Sequence, residues 1–294
     1  MPTLIFLSNS LRLAKRRLVL GLLAVFASGL AKAEEVPWRW ANPRPHGDSI
    51  RAIAKGDDFS IQVGENGSIH TSQNLVQWFP RESGTDVTLR AVTFFKDLAI
   101  VAGDDGVLLH SGDEESFAPA ELNTATSKTF RALAASSRTI VAAGDDGTIY
   151  TSSDGRSWSK RSFRYNNNIH AVVWTGRYFV VVGENGLVAT SNNGSSWNKR
   201  QSRTTRDLNA LAYVNKRLWA VGERGTVLLS YNDGFSWLAA RSGTDKNLNT
   251  VTGTANEVIV AGENVVRKGV LGFFMYWVDV LEKDEGSNPA PPPD

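Results

Sequence analysis

Short stretches of alternating apolar and polar residues, separated by turns rich in glycine, asparagine and aspartate, run along most of the chain. In one stretch, residues 89–95, 98–102 and 107–110 read as three strands, and a fourth is expected around Phe117. β-Branched and aromatic residues bounded by turn residues are typical of strands. Helical periodicity is absent after residue 33. The pattern therefore predicts an all-β protein.

The strand pattern is organised by a repeated turn of the form Gly-x-x-Gly. Its six copies begin at Gly64, Gly103, Gly144, Gly183, Gly222 and Gly262, which lie 39, 41, 39, 39 and 40 residues apart. Asn-Gly and Asp-Gly pairs in these turns favour hairpins with positive φ at both central residues. In the sixth copy Val265 replaces the final glycine. Because positive φ is costly for a β-branched residue, we expect this last turn to differ.

Four strands in about forty residues is the size of one propeller blade. We therefore predict one β-propeller domain over residues 34–281, with six four-stranded blades. The predicted repeats cover residues 50–88, 89–129, 130–168, 169–207, 208–247 and 248–281. Residues 38–45 resemble the end of a repeat, and we expect this N-terminal strand to pair with the last blade and close the ring. Residues 282–294 are charged and then proline-rich, which predicts a disordered tail.

The first 33 residues have the organisation of a secretory signal peptide. Lys15, Arg16 and Arg17 precede an apolar run at residues 18–30, and Ala31-Lys32-Ala33 matches a cleavage site. The run is too short for a membrane-spanning helix, which needs roughly 20 residues. We expect cleavage after Ala33 and a periplasmic or secreted protein.

Removing the leader changes the charge balance. The whole chain has a net charge of +2, but residues 34–294 contain 27 Lys and Arg against 30 Asp and Glu, a net charge of −3. This balance argues against nucleic-acid binding and leaves at most peripheral membrane contact. The chain has no cysteine, so thiol chemistry is excluded. Its four histidines fall in different repeats without ligand spacing, and we predict no metal site and no cofactor.

A second landmark, a hairpin closed by an aromatic residue, follows each Gly-x-x-Gly turn. The clearest copies are TSSDGRSW, TSNNGSSW and SYNDGFSW, which end at Trp158, Trp197 and Trp237. These octapeptides resemble the Asp-box, or BNR, hairpin. With the period and the Gly-x-x-Gly turn, the chain resembles propellers of the photosystem II stability and assembly factor-like (YVTN repeat-like) family over residues 36–281. A more distant resemblance is to sialidases.

The box residues are predicted to have a structural role. Asp and Asn side chains accept hydrogen bonds from turn amides, glycine permits positive φ, and tryptophan packs between sheets. The residues expected in these roles are Asp154, Gly155, Trp158, Asn193, Gly194, Trp197, Asp233, Gly234 and Trp237.

A row of polar residues is the candidate binding site. The first strands of successive repeats begin with Arg51, Arg90, Arg131 and His170, followed by Asn209 and Asn249 in the last two. First strands line the central channel of a propeller, so the arginines are placed to bind an anionic group or an acidic protein surface. The alternative is that they pair with the acidic residues of the Gly-x-x-Gly turns.

The function that we predict is that of a non-catalytic, exported, monomeric scaffold. The assembly-factor resemblance implies a protein partner in the cell envelope and assistance to the assembly or stability of a membrane complex. Residues 270–281, which are rich in aromatics, are expected to form a blade strand, with partner or lipid docking as the alternative. The sialidase resemblance leaves glycan binding or glycoside hydrolysis, with Tyr165 as the nucleophile, as the alternative function.

Overall fold

The computed structural model describes residues 49–254, 256–270 and 276–279. These residues form six antiparallel β-meanders, which we call blades 1 to 6. Blades 1 to 3 contain β1–β4 (Ile50–Lys55, Ser60–Gly64, Ile69–Ser72, Phe79–Arg81), β5–β8 (Leu89–Phe95, Leu98–Gly103, Leu108–Ser111, Ala118–Pro119) and β10–β13 (Phe130–Ala135, Ile140–Gly144, Ile149–Ser152, Ser157–Arg161). Blades 4 to 6 contain β14–β17 (Ile169–Trp174, Phe179–Gly183, Val188–Ser191, Asn198–Lys199), β18–β21 (Leu208–Val214, Arg217–Gly222, Val227–Ser230, Leu238–Ala240) and β22–β25 (Leu248–Gly253, Glu257–Gly262, Val265–Val270, Tyr276–Asp279).

Two kinds of element lie outside this regular plan. β9 (Glu121–Leu122) is a short extra strand that pairs in parallel with β13 at the outer edge of blade 3. Single turns of 3-10 helix follow the second strands of blades 2 to 5, at Asp104–Gly106, Asp145–Gly147, Glu184–Gly186 and Glu223–Gly225. None of the helical turns in the described ranges has the length and apolarity needed to cross a bilayer.

The second strands of blades 1 to 4 are buried along their whole length. Every residue of β2, β6, β11 and β15 is buried, and these strands are rich in Val, Ile and Ala. A strand that is apolar at every position must be covered on both faces. Neighbouring blades supply that cover, because the first strands pack side by side in the order β1, β5, β10, β14, β18 and β22.

Hydrophobic clusters accordingly lie between successive blades. Ile100, Ile140 and Trp158 belong to the cluster between blades 2 and 3. Trp237 closes the corresponding cluster between blades 4 and 5. Trp158 and Trp237 are almost completely buried. The core is therefore divided into hydrophobic clusters, each formed by two neighbouring blades.

The predicted geometry of the Gly-x-x-Gly turns is confirmed. In blade 3, Asp146 and Gly147 have φ of +52° and +65°. A β-carbon at Gly147 would also lie 1.9 Å from the carbonyl oxygen of Tyr165. Blade 6 turns differently, as expected: Val265 lacks the positive φ of the glycine that it replaces and pairs directly with Gly262, while Asn264 has φ of +52°, as Asp146 does in blade 3.

The prediction of an all-β protein with six four-stranded blades is confirmed, with β9 as an unforeseen addition to blade 3. In the aromatic segment at residues 270–281, Tyr276–Asp279 forms β25 and pairs with β24 as a blade strand. The leader, the closing strand at residues 38–45 and the tail at 282–294 lie outside the described residues, and those three expectations stay predictions.

Candidate functional site

Each blade carries a β-bulge at the start of its first strand. In blade 1 the pairing of β1 with β2 skips one residue between Ile50 and Ala52. The same skip recurs at the same place in all six blades. The skipped residues are Arg51, Arg90, Arg131, His170, Asn209 and Asn249. Bulges redirect side chains and are frequent next to functional sites.

The bulges direct five of these side chains to one cavity. Arg51, Arg90, Arg131, His170 and Asn209, one from each of blades 1 to 5, line a space of about 340 Å³. The four candidate residues named from the sequence, the three arginines and His170, are therefore brought together. A cavity of this size is at the lower end of the range for ligand sites.

Each arginine also pairs with an acidic residue of its own blade, fourteen positions later. Arg90 donates to both carboxylate oxygens of Asp104, from Nε at 2.5 Å and from Nη2 at 2.8 Å. Arg131 Nε donates to Asp145 at 2.5 Å. Arg51 donates to Glu65 in the same way. The pairing with turn acids that was the alternative reading is thus present, and it occurs in the same arginines that line the cavity.

The Arg90–Asp104 pair is the most strongly held of the three. Thr129, at the entry to blade 3, donates a further hydrogen bond of 2.9 Å to Asp104. Hydrogen bonding to Asp104 raises the pKa of Arg90 above its ordinary value. The bond from Arg90, with help from Thr129, lowers the pKa of Asp104 below its ordinary value. The acid therefore orients the guanidinium group and stabilises its positive charge.

The other half of the cavity has no arginine. His170 Nδ1 lies 3.1 Å from the carbonyl oxygen of Leu208 in the next blade, so this nitrogen is placed to donate a hydrogen bond to that carbonyl. Asn209 Nδ2 donates to the carbonyl oxygen of Leu248 at 3.0 Å. These side chains connect one first strand to the next. The cavity wall consequently presents three arginines over blades 1 to 3, and a histidine and an asparagine over blades 4 and 5.

In blades 4 to 6 the glutamate of the Gly-x-x-Gly turn binds the residue just before the first strand instead of the bulge residue. Glu184 accepts hydrogen bonds from the side chain and the backbone N–H of Asn168, at 2.7 and 3.1 Å. Glu263 accepts one from Asn247 at 3.1 Å. The acid of the turn therefore binds either the bulge arginine or the residue before the first strand. The first arrangement places an arginine in the cavity.

The Asp-box-like hairpins have the structural geometry expected of them in blades 3 and 4. Asp154 Oδ1 accepts hydrogen bonds from the backbone N–H groups of Arg156 and Ser157, at 2.8 and 2.9 Å. These bonds, with that from Ser157 first, lower the pKa of Asp154. Trp158 Nε1 donates to the carbonyl oxygen of Gly155 at 3.2 Å. Asn193, Gly194 and Trp197 repeat the arrangement in blade 4.

Blade 5 requires a correction. Asn232, not Asp233, has the acceptor position: its Oδ1 takes the N–H of Ser236 at 2.9 Å. Asp233 is an inserted residue with φ of +55°. Gly234 and Trp237 keep their expected positions, since Trp237 Nε1 donates to the carbonyl oxygen of Gly234 at 2.9 Å. The prediction chose the wrong residue because the hairpin has one inserted residue. Asn232 and Asp233 are adjacent in the sequence, and either side chain could accept the hydrogen bonds of the turn.

Among the described residues, the side chains named for the alternative functions lie away from the arginine cavity. Tyr165, the candidate nucleophile, packs against Phe163 with ring centroids 5.1 Å apart and is not among the residues that line the arginine cavity. The tryptophans whose side chains lie in the described ranges are buried or half-buried, so they do not present an exposed sugar-stacking platform. Among the described residues no cluster of His, Asp and Glu could hold a metal ion.

Comparison with known proteins adds evidence for the fold. No protein-family model and no curated protein matches the chain. A solved structure described as YCF48 bound to D1 peptide is similar, with a TM-score of 0.64 and 19% identity over 80% of this chain and 82% of that one. The computationally designed Ika8 protein has a TM-score of 0.63 and 16% identity, over 78% of this chain and 73% of its own. YCF48 is a photosystem II assembly factor with a propeller fold. At these identities the likeness establishes a propeller.

Proposed function

We propose that this propeller is a non-catalytic scaffold that binds an acidic group of a protein partner in the cavity of Arg51, Arg90, Arg131 and His170. The observation that carries the proposal is the convergence of three bulge arginines on one cavity, with their acidic partners behind them. The similar fold of YCF48, an assembly factor observed with a bound peptide, supports a protein as the partner.

The electrostatics favour an anion over a neutral ligand. The cavity is lined by the three arginines, while Asp104, Asp145 and Glu65 are not among its lining residues. Each acid uses one or two donors of its arginine, and a guanidinium group has five N–H donors. The remaining donors are available to a carboxylate, which arginine binds with directional, charge-assisted hydrogen bonds.

The cellular setting of the proposal follows from the leader. A protein exported by the segment at residues 1–33 meets its partner in the periplasm or outside the cell. By analogy with the assembly factor, the partner would be part of an envelope or membrane complex whose assembly or stability the propeller assists.

The test exploits the natural variation among the blades. Replacing Arg51, Arg90 and Arg131 together by asparagine gives blades 1 to 3 the residue that blades 5 and 6 have at the same bulge. Because charge-assisted hydrogen bonds contribute roughly 1.5–3 kcal/mol each, we expect capture of envelope proteins to fall at least a hundredfold. Exposed ion pairs contribute about 0–1 kcal/mol, so the melting temperature should change little. Quantitative mass spectrometry of material bound to immobilised wild type and variant measures the first effect.

A matched control replaces Asn209 and Asn249 by alanine, which alters the neutral side of the row without removing a cation. This control should retain most of the captured protein. Undiminished capture by a stable triple variant would eliminate the arginine cavity as the binding site. Loss of capture only in parallel with loss of fold would assign the arginines to stability alone.

A further inference from the structure

The outer edge of blade 3 shows that a blade of this protein can accept an extra strand. β9 runs parallel to β13, with the N–H of Glu121 bound to the carbonyl of Arg156 at 2.8 Å and that of Asn123 bound to the carbonyl of Trp158 at 2.9 Å. In return, Asn123 Oδ1 accepts the backbone N–H of Lys160 at 2.9 Å. Leu122 packs against the cluster that contains Trp158.

One backbone position decides whether the other outer edges could do the same. It lies two residues after the closing aromatic and is opposite the second residue of the third strand in blades 1 to 5. Its occupants are Pro80, Pro119, Lys160, Lys199 and Ala239. Lys160 shows that the N–H here points away from the third strand, towards the added strand. Proline lacks this N–H, so the edges of blades 1 and 2 cannot make the bond that Lys160 makes to Asn123.

The edge of blade 4 is covered by other means. Phe163 and Tyr165, from the connection before this blade, lie beside its outer strand, with the Phe163 and Trp197 ring centroids 6.0 Å apart. Lys199 places its ammonium 5.4 Å from the ring centroid of Tyr165.

The edge of blade 5 has none of these protections. β21 reads Leu-Ala-Ala, Leu238 is 56% exposed, and Ala239 is exposed. A groove of about 800 Å³ runs between β21 and the connection at residues 202–206, and both Trp237 and Leu228 line it. The register of β20 with β21 is the same as that of β12 with β13, so Ala239 N–H and Trp237 C=O face outward as Lys160 and Trp158 do.

We propose that an extended, acidic-aliphatic peptide segment of a partner protein adds to β21 as a parallel fifth strand, in the manner of β9 on β13. An aliphatic side chain at the Leu122 position would contact Trp237. A backbone N–H of the peptide would bind Trp237 C=O, and a side-chain oxygen at the Asn123 position would accept Ala239 N–H. Arg203 and Arg206 line the groove, and none of its described lining residues is acidic, which favours a peptide with negative charge. This surface lies apart from the arginine cavity, and its occupancy does not depend on the function proposed for that cavity.

The probe for the test is a peptide that contains the sequence of β9. A synthetic peptide with the sequence of residues 118–126, APAELNTAT, is titrated into the mature ¹⁵N-labelled protein, and the backbone amide signals are followed by NMR. We expect saturable shifts centred on Ala239 and Trp237. Ala239→Pro should weaken binding at least tenfold and leave the melting temperature nearly unchanged, because Pro80 and Pro119 occupy the same position in blades 1 and 2.

Two further variants make the test specific. Lys199→Pro, the same change in blade 4, should leave the affinity unchanged, whereas charge reversal of Arg203 and Arg206 to glutamate should weaken binding about tenfold. The triple asparagine variant of the arginine cavity should bind the peptide as wild type does, which separates this proposal from the previous one.

Three results would overturn the proposal. The first is unchanged peptide binding by Ala239→Pro, and the second is the absence of shifts near β21 at millimolar peptide. The third is a concentration-dependent dimer that Ala239→Pro abolishes, detected by sedimentation, which would make a second copy of the chain the occupant of this edge.

Discussion

At the scale of single residues, the bulge position of each first strand differs in chemistry from one repeat to the next. Blades 1 to 3 place Arg51, Arg90 and Arg131 there, and each is held by an acid fourteen residues later. Blade 4 has His170, bound to the next blade through a backbone carbonyl. The same backbone geometry therefore supports an arginine paired with an acid or a side chain bound to the next blade, and the sequence of each repeat selects which.

A residue-scale prediction concerns the carboxylate of Asp154. Its folded-state pKa is lowered, so its contribution to stability is present above the unfolded pKa of about 4 and is lost as pH falls through the folded value. Asp154→Asn retains the acceptor oxygen, as Asn193 does in blade 4, but cannot titrate. We expect the stability advantage of wild type over this variant to shrink from pH 7 to pH 3, measured by urea unfolding at each pH.

The reciprocal change provides the control for that prediction. Asn193→Asp should introduce an acid-dependent loss of stability at the same position of blade 4. Parallel pH profiles for wild type and Asp154→Asn would contradict the assignment of this carboxylate to the turn amides.

At the scale of elements, the contact between neighbouring blades determines which glycines are required. Gly155 has φ of +77°, and a β-carbon there would lie 2.9 Å from Cδ1 of Ile100 in blade 2. Gly194 is placed in the same way against Val141 of blade 3. The glycine of the Asp-box-like hairpin thus serves both its own turn and the interface with the preceding blade.

Two glycine substitutions separate these roles. Gly84 has a similar φ of +73° but no atom within 4 Å of its missing β-carbon. Gly84→Ala should therefore cost only the left-handed backbone penalty, about 1–2 kcal/mol. Gly155→Ala should cost a further 1–3 kcal/mol or so, because the methyl group crowds Ile100. Chemical denaturation of the two variants measures the difference, and equal losses would exclude the interface role of Gly155.

At the scale of the whole molecule, stability depends on an unbroken series of blades. Each hydrophobic cluster is shared by two neighbours, so a blade that loses a strand weakens its own slice of the core and the next. The repeats from Ile50 onward account for four strands in every blade, which is why a strand from residues 38–45 would be an additional closing element.

Deleting residues 34–45 from the mature protein tests closure. If this segment pairs with the last blade, its loss should lower the free energy of unfolding by several kcal/mol, a large part of the 5–15 kcal/mol or so typical of a domain. Deletion of the tail at residues 282–294 is the control and should have little effect. A melting temperature unchanged by the first deletion would exclude the closing strand.

The sequence by itself determined the blade count, the strand order and the positive-φ turns. These features depend on a regular period and on local turn chemistry, both of which are visible in one repeat and reinforced by the next. It also identified Arg51, Arg90, Arg131 and His170 as residues at one end of the first strands, because equivalent positions of a repeat occupy equivalent places.

Only the tertiary structure decided where the side chains at these positions point and which residues they bind. The bulges that turn the arginines towards one cavity depend on pairing between strands, and the pairs with acids fourteen residues away depend on the turn folding back over the strand. The parallel addition of β9 was signalled only by a repeat two residues longer than most of the others. Asn232 rather than Asp233 accepts the hydrogen bond of the turn because the hairpin contains one inserted residue, and the sequence does not show on which side of the acceptor it lies. In each case the outcome depends on contacts between segments distant in sequence, whose energies a local pattern does not contain.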